Sequence, residues 1–162
     1  MNNDAELAAL IEQLTEQQDR LQFERFTNDD AWDLGTLLVG IGRERGLVIT
    51  VDIRRHGHQL FHAALAGTTP DNDSWIERKI AVVNRFGDSS FLVGRRLAQR
   101  GKVLDEASGL EPIRYAAHGG CFPIIVRDVG VVGTVTVSGL PQADDHALVV
   151  EALETFLRRS RS

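Results

Sequence analysis

Five histidines and one cysteine supply the chemistry most accessible near neutral pH in this sequence. His56, His58 and His62 share one parity, so an unbroken strand would turn all three to one face, where neutral imidazoles can ligate iron or zinc. Gly57 interrupts that strand, carboxylates nearby are few, and the spacing matches no compact metal motif. No metal site is therefore expected. The run His118-Gly119-Gly120-Cys121 is more pointed. Paired glycines let a backbone approach a ligand or another chain closely and tolerate positive φ. His118 would project into that space, and Cys121 would react if its thiolate were stabilised. The alternative is a tight bend entering a strand, with Cys121 buried and inert. A single thiol forms no internal disulfide and no cysteine zinc cluster.

Two junctions add polar groups. Thr68-Thr69-Pro70-Asp71-Asn72-Asp73 leads into Ser74-Trp75-Ile76-Glu77, read as a capping box that opens a helix. A helix N-terminus attracts anions through free N–H groups and its dipole, and Arg78 and Lys79 would reinforce that pull. Trp75 is either an apolar anchor or a stacking platform. Further on, Ser138-Gly139-Leu140-Pro141-Gln142 precedes Asp144, Asp145 and His146. A carboxylate can orient an imidazole as a general base. Adjacent helical residues do not face each other, which favours capping for these acids. There is no GxxxxGK[ST] loop, GxGxxG fingerprint, HExxH helix or GxSxG elbow. Whether the chain is an enzyme stays open, and no catalytic residue is assigned.

The elements that must position these groups follow from periodicity. Leu7, Leu10, Ile11 and Leu14 mark a helix over 4–18, with Gln13, Glu16 and Gln17 off its apolar stripe. Leu34, Leu37, Leu38 and Ile41 mark a second over 29–45, started by Thr27-Asn28-Asp29 and stopped by Gly46. Residues 47–54 and 59–65 read as a hairpin turning at Gly57. Trp75, Ile76, Ile80 and Val83 give a helix from Ser74, and 89–100 gives another that ends at Gly101. Residues 101–112 look irregular. A second hairpin joins 124–126 to 131–137 through Asp128-Val129-Gly130. A final helix carries Ala147, Val150, Leu153 and Leu157 ahead of a frayed basic tail. Hairpins with covering helices give a single-domain α+β architecture, not a doubly wound parallel sheet.

The 162 residues suit one domain, divided here into an N-terminal helix (1–19) and a domain over 20–158. A net charge of −5 argues against nucleic acid as a partner. No apolar run reaches the ~18 residues of a membrane span. The acidic start lacks the basic region of a signal peptide, so a cytoplasmic location is expected.

Three long segments, GTTPDNDSWIERK (67–79), YAAHGGCFPI (115–124) and GVVGTVTVSGLPQ (130–142) with Asp145-His146, resemble the uncharacterised branch of the haem-degrading-domain (HbpS/GlcG-like) family. FTNDDAWDLG (26–35) fits as well, and the likeness runs from about residue 20 to 157. The resemblance implies a profilin-like antiparallel sheet flanked by helices, and symmetric homo-oligomers built from dimers. It makes haem a possible cofactor, with His62 and His118 as candidate iron ligands. The ligand-binding candidates, carried as members of the matching motifs, are Asp71, Asn72, Trp75, Arg78, Lys79, His118, Gly119, Gly120, Ser138 and His146. The expected function is an oligomeric small-ligand-binding or interaction module, with an anionic ligand favoured. The alternatives are haem binding or breakdown, and a structural scaffold.

Overall fold

The computed structural model describes residues 2–105 and 108–161. In chain order the elements are α1 (Asn2–Arg20), α2 (Asn28–Glu44), β1 (Thr50–Arg55), β2 (His58–Ala64), α3 (Pro70–Phe86), α4 (Ser90–Gln99), β3 (Cys121–Val126), β4 (Gly130–Ser138) and α5 (Gln142–Ser160). The four strands form one antiparallel sheet in the order β2-β1-β4-β3. This is an α+β fold with helices on both faces of the sheet.

Strand alternation sorts the two faces. Val51, Ile53, Phe122, Ile124, Val135 and Val137 point to one side, where Leu34 and Leu38 of α2 and Leu148, Val149 and Leu153 of α5 complete the main core. The opposite face is polar for a buried surface: Thr50, Asp52, Thr134, Thr136 and Ser138 are all almost fully shielded. Register lines up one row across it, His62–Asp52–Thr136–Cys121. Ile76, Ile80 and Val83 of α3 cover Cys121 from above.

The first hairpin turns at His56 (φ 49°) and Gly57 (φ 78°), two left-handed residues in succession that match the twist of the flanking strands. A bulge at Ile53/Arg54 shifts the register. The three histidines of equal parity are thereby separated: His56 lies in the turn, His58 pairs with Arg55, and only His62 sits opposite Asp52.

Four readings from sequence are corrected. α3 starts a full turn before Ser74, because Pro70 suits a first helical position and Asn72 returns its side-chain oxygen to the Thr69 N–H at 2.9 Å. β1 starts at Thr50, not Leu47, since the Leu47 N–H still closes onto Gly42 O of the preceding helix end. In α5, Ala147 faces solvent while Leu148, Val149 and Ala152 are buried, and the basic tail stays helical to Ser160. Gln17, off the apolar stripe of α1, is buried. Its carbonyl oxygen meets His146 Nε2 at 2.8 Å where α1, α4 and α5 come together. The stripe itself packs within the chain, Leu14 against Phe91 and Leu92 of α4.

Candidate functional site

Residues 71, 72, 75 and 79 fall on one side of α3 by helical spacing, and this side meets the end of β4 and the start of α5. Between them lies a hollow of about 260 Å³, lined by Asp71, Asn72, Trp75, Lys79, His118, Ser138, Gly139, Leu140, Gln142 and Asp145. Segments near residues 70, 118 and 140, far apart along the chain, thus share one cavity.

Its base is an ion pair. Lys79 Nζ lies 3.1 Å from Asp145 Oδ2 and donates to Val137 O at 3.3 Å. Both side chains are almost fully buried. Asp145 Oδ1 accepts the Leu140 N–H at 2.9 Å, which ties the β4–α5 turn to the same carboxylate. Burial pushes the Asp145 carboxyl above its ordinary value, while Lys79 and the Leu140 N–H act in the opposite sense.

Two glycine positions make this closeness possible. At Gly120 (φ +136°) a Cβ would lie 2.4 Å from Val137 O and 2.7 Å from Lys79 Nζ. At Gly139 (φ +146°) it would lie 2.1 Å from Val48 O. The close approach anticipated for Gly119-Gly120 therefore exists, but it is made to the chain's own backbone. Gly119 and Gly120 do not line the hollow, and the Gly119 N–H donates to Gln142 Oε1 at 3.1 Å.

His118 stands at the mouth, edge-on to Trp75 with ring centroids 5.3 Å apart. Burial, followed by the charges of Lys79, Arg78 and Arg95, lowers its pKa, so the ring is neutral at pH 7. Among the described residues its nitrogens and the Ser138 hydroxyl have no hydrogen-bond partner. Arg78 turns away: its guanidinium lies 4.6 Å over the Trp75 ring and donates to Pro112 O at 2.9 Å.

His146 is displaced from the site altogether. It is buried beside Phe91 and Phe122, and burial pushes its pKa down to about 4. The suggested Asp145–His146 dyad does not form, because Asp145 faces Lys79. Cys121 is inert for the same reason: burial raises its thiol to about 12. His62 Nδ1 is hydrogen-bonded to Asp52 at 3.2 Å, and its Nε2 lies 3.1 Å from Asp73. Asp52 also accepts from Arg54 at 2.9 Å and Gln59 at 2.7 Å. Among the described residues no group of three or more His, Cys, Asp or Glu side chains is arranged to hold a metal ion. Sequence reasoning missed the roles of Asp145, Leu140 and Gln142 at the hollow. Their partners lie 66, 5 and 23 residues away, and only the Leu140–Asp145 turn left a local trace.

The sequence pattern that defines the HbpS-like haem-degrading proteins matches residues 26–154. The chain belongs to the HbpS-like family. Similar proteins include UPF0303 proteins of Streptomyces coelicolor, 59% identical over 94% of this chain and 97% of that one, and of Azotobacter vinelandii, 48% identical over 91% and 89%. The crystal structure of the Ybr137w protein superposes with a TM-score of 0.85 at 34% identity, covering 94% of this chain and 90% of that one. HbpS itself has a TM-score of 0.63 at 20% identity over 84% and 92%. A haem complex of PduOC has a TM-score of 0.67 at 15% identity over 80% and 93%, a likeness of fold alone. No helix among the described residues is long and apolar enough to cross a membrane.

Proposed function

We propose that this member of the HbpS-like family is a small-ligand-binding module whose ligand seats in the hollow above the Lys79–Asp145 pair. The observation that supports this most is the convergence of unpartnered polar groups on one cavity: His118, neutral and free, faces the space that the Ser138 hydroxyl also lines. Pro141 at the N-cap of α5 offers no side-chain cap, and the Asp144 N–H already donates to Pro141 O, which leaves the Gln142 and Ala143 N–H groups to a ligand acceptor. The pull on an anion is weaker than the sequence suggests. Lys79 is matched by Asp145, Asp71 adds a carboxylate, and Arg78 lies outside the hollow. The ligand is therefore a small polar molecule with both donors and acceptors, carrying at most one anionic group.

Haem is a poor match for this hollow. The cavity is smaller than the ~300 Å³ at which drug-sized sites begin, its base is ionic, and His62 does not line it. We also propose the homo-oligomer built from dimers that the resemblance implies, with exposed Trp32, edge-on to Phe61, on its contact surface. Light scattering that finds a monomer at all concentrations would end that part.

The binding role is tested by unbiased mass spectrometry of small molecules released from purified protein, beside Ser138→Leu, which fills the cavity. A compound is expected at near-stoichiometric amount in the parent protein and absent from the variant. A folded Ser138→Leu that retains the compound in full overturns the assignment.

A further inference from the structure

A second cavity, of about 300 Å³, lies on the other side of His118, between α4 and the irregular segment that follows it. Its character differs from that of the hollow. Three cations line it, Arg78, Arg95 and Lys102, and among the described residues no carboxylate does. Leu97, Leu104 and Tyr115 supply much of the remaining wall. Among the described residues neither Arg95 nor Lys102 makes an ion pair, and Arg95 rests 5.5 Å over the Phe91 ring. The Nε atoms of Arg78 and Arg95 are buried without a hydrogen-bond partner. Buried guanidinium donors are costly to leave unmatched, and an unpartnered one calls for a water or ligand acceptor. The protein is acidic overall, so three cations gathered on one pocket are a local reversal of its charge.

We propose that this cleft is a second ligand site, selective for small monoanions with a flat or apolar body, whose acidic group meets Arg78, Arg95 and Lys102 while the body lies against Leu97, Leu104 and Tyr115. The two cavities share His118 as a wall, so the sites are neighbours, but the cleft does not depend on occupancy of the hollow.

The test is calorimetric titration of the full chain with 2-naphthoate and with 2-naphthol, a neutral compound of nearly equal shape at pH 7. The carboxylate is expected to bind about tenfold or more tighter, as suits charge-assisted hydrogen bonds in a partly dry site. Arg95→Gln with Lys102→Gln is expected to bring the two affinities together while leaving binding of 2-naphthol unchanged, which also shows that the variant keeps its cleft. Ser138→Leu is expected to leave 2-naphthoate binding intact, separating this site from the hollow. Equal affinities for the two compounds in the parent protein overturn the proposal, as does a carboxylate preference that persists in the double variant.

Discussion

Replacing Lys79 by Met would isolate the Asp145 carboxylate in a nearly dry site. At the observed 3.1 Å separation the gross Coulomb attraction, at an effective dielectric of about 20, is about 5 kcal/mol. Desolvating the two ions offsets most of it, so the pair itself adds little net stability. Removing one member is different, because the other is left buried and unmatched, at a cost of roughly 3–5 kcal/mol. For a chain of this length that lowers Tm by roughly 10 °C. Urea denaturation followed by circular dichroism measures the loss directly. The pH profile supplies a control. In Lys79→Met the carboxyl has a folded pKa raised still further above its unfolded value. The penalty is therefore small near pH 4 and grows as pH rises through the folded pKa. Adding Asp145→Asn removes the stranded charge, and the double variant is expected to recover at least a third of the loss. A Lys79→Met protein within 1 kcal/mol of the parent, or a double variant no better than the single, would refute the account of the ion pair.

Other outcomes follow from the same geometry. Gly120→Ala combines a positive φ with a backbone clash and should cost roughly 3 kcal/mol in denaturant unfolding; a fully stable variant contradicts the described crossing. Burial lowers His146 from 6.5 to about 4, so its stabilising contribution is complete above pH 6.5 and is withdrawn as pH falls toward 4. It amounts to roughly 3 kcal/mol, and stability curves for His146→Gln should be flatter over that window by about this amount; parallel curves contradict it. Titration with haemin is expected to give no Soret shift that depends on His118, and a shift abolished by His118→Ala contradicts the mismatch argued for the hollow.

The elements whose signals are local were legible in the sequence. Leu34 and Leu38 face the core as their spacing requires, and the capping pair Thr27–Asp30 fixes the start of α2. The two hairpins were readable from Gly57 and from Asp128-Val129-Gly130. The start of α3 was misread because Ser74 and Glu77 imitate a capping box, while Thr69-Pro70 with Asn72 provides the cap one turn earlier. At the hollow, Trp75 and Lys79 were legible as members of one helix, while Asp71 and Asn72 were read into the loop ahead of it and join that helix only because it starts at Pro70. The Lys79–Asp145 pair was not, since nothing in either neighbourhood names a partner 66 residues away. Arg78 and Lys79, adjacent and alike in charge, enter different cavities; helical geometry predicts a divergence of about 100°, but only the packed structure says which one enters the hollow. The burial of Gln17 was hidden because its partner, His146, comes from the far end of the chain.

The centre of the sheet joins residues 50–55 to residues 133–138, and these are the strands made earliest and last. During synthesis β1 therefore waits with one edge unsatisfied until nearly the whole chain has left the ribosome. Arg54 and Arg55 on that waiting strand are charges of the kind that discourage pairing with a stranger. The floor of the hollow cannot exist before β4 docks, so a nascent chain, or one shortened ahead of β4, lacks the hollow.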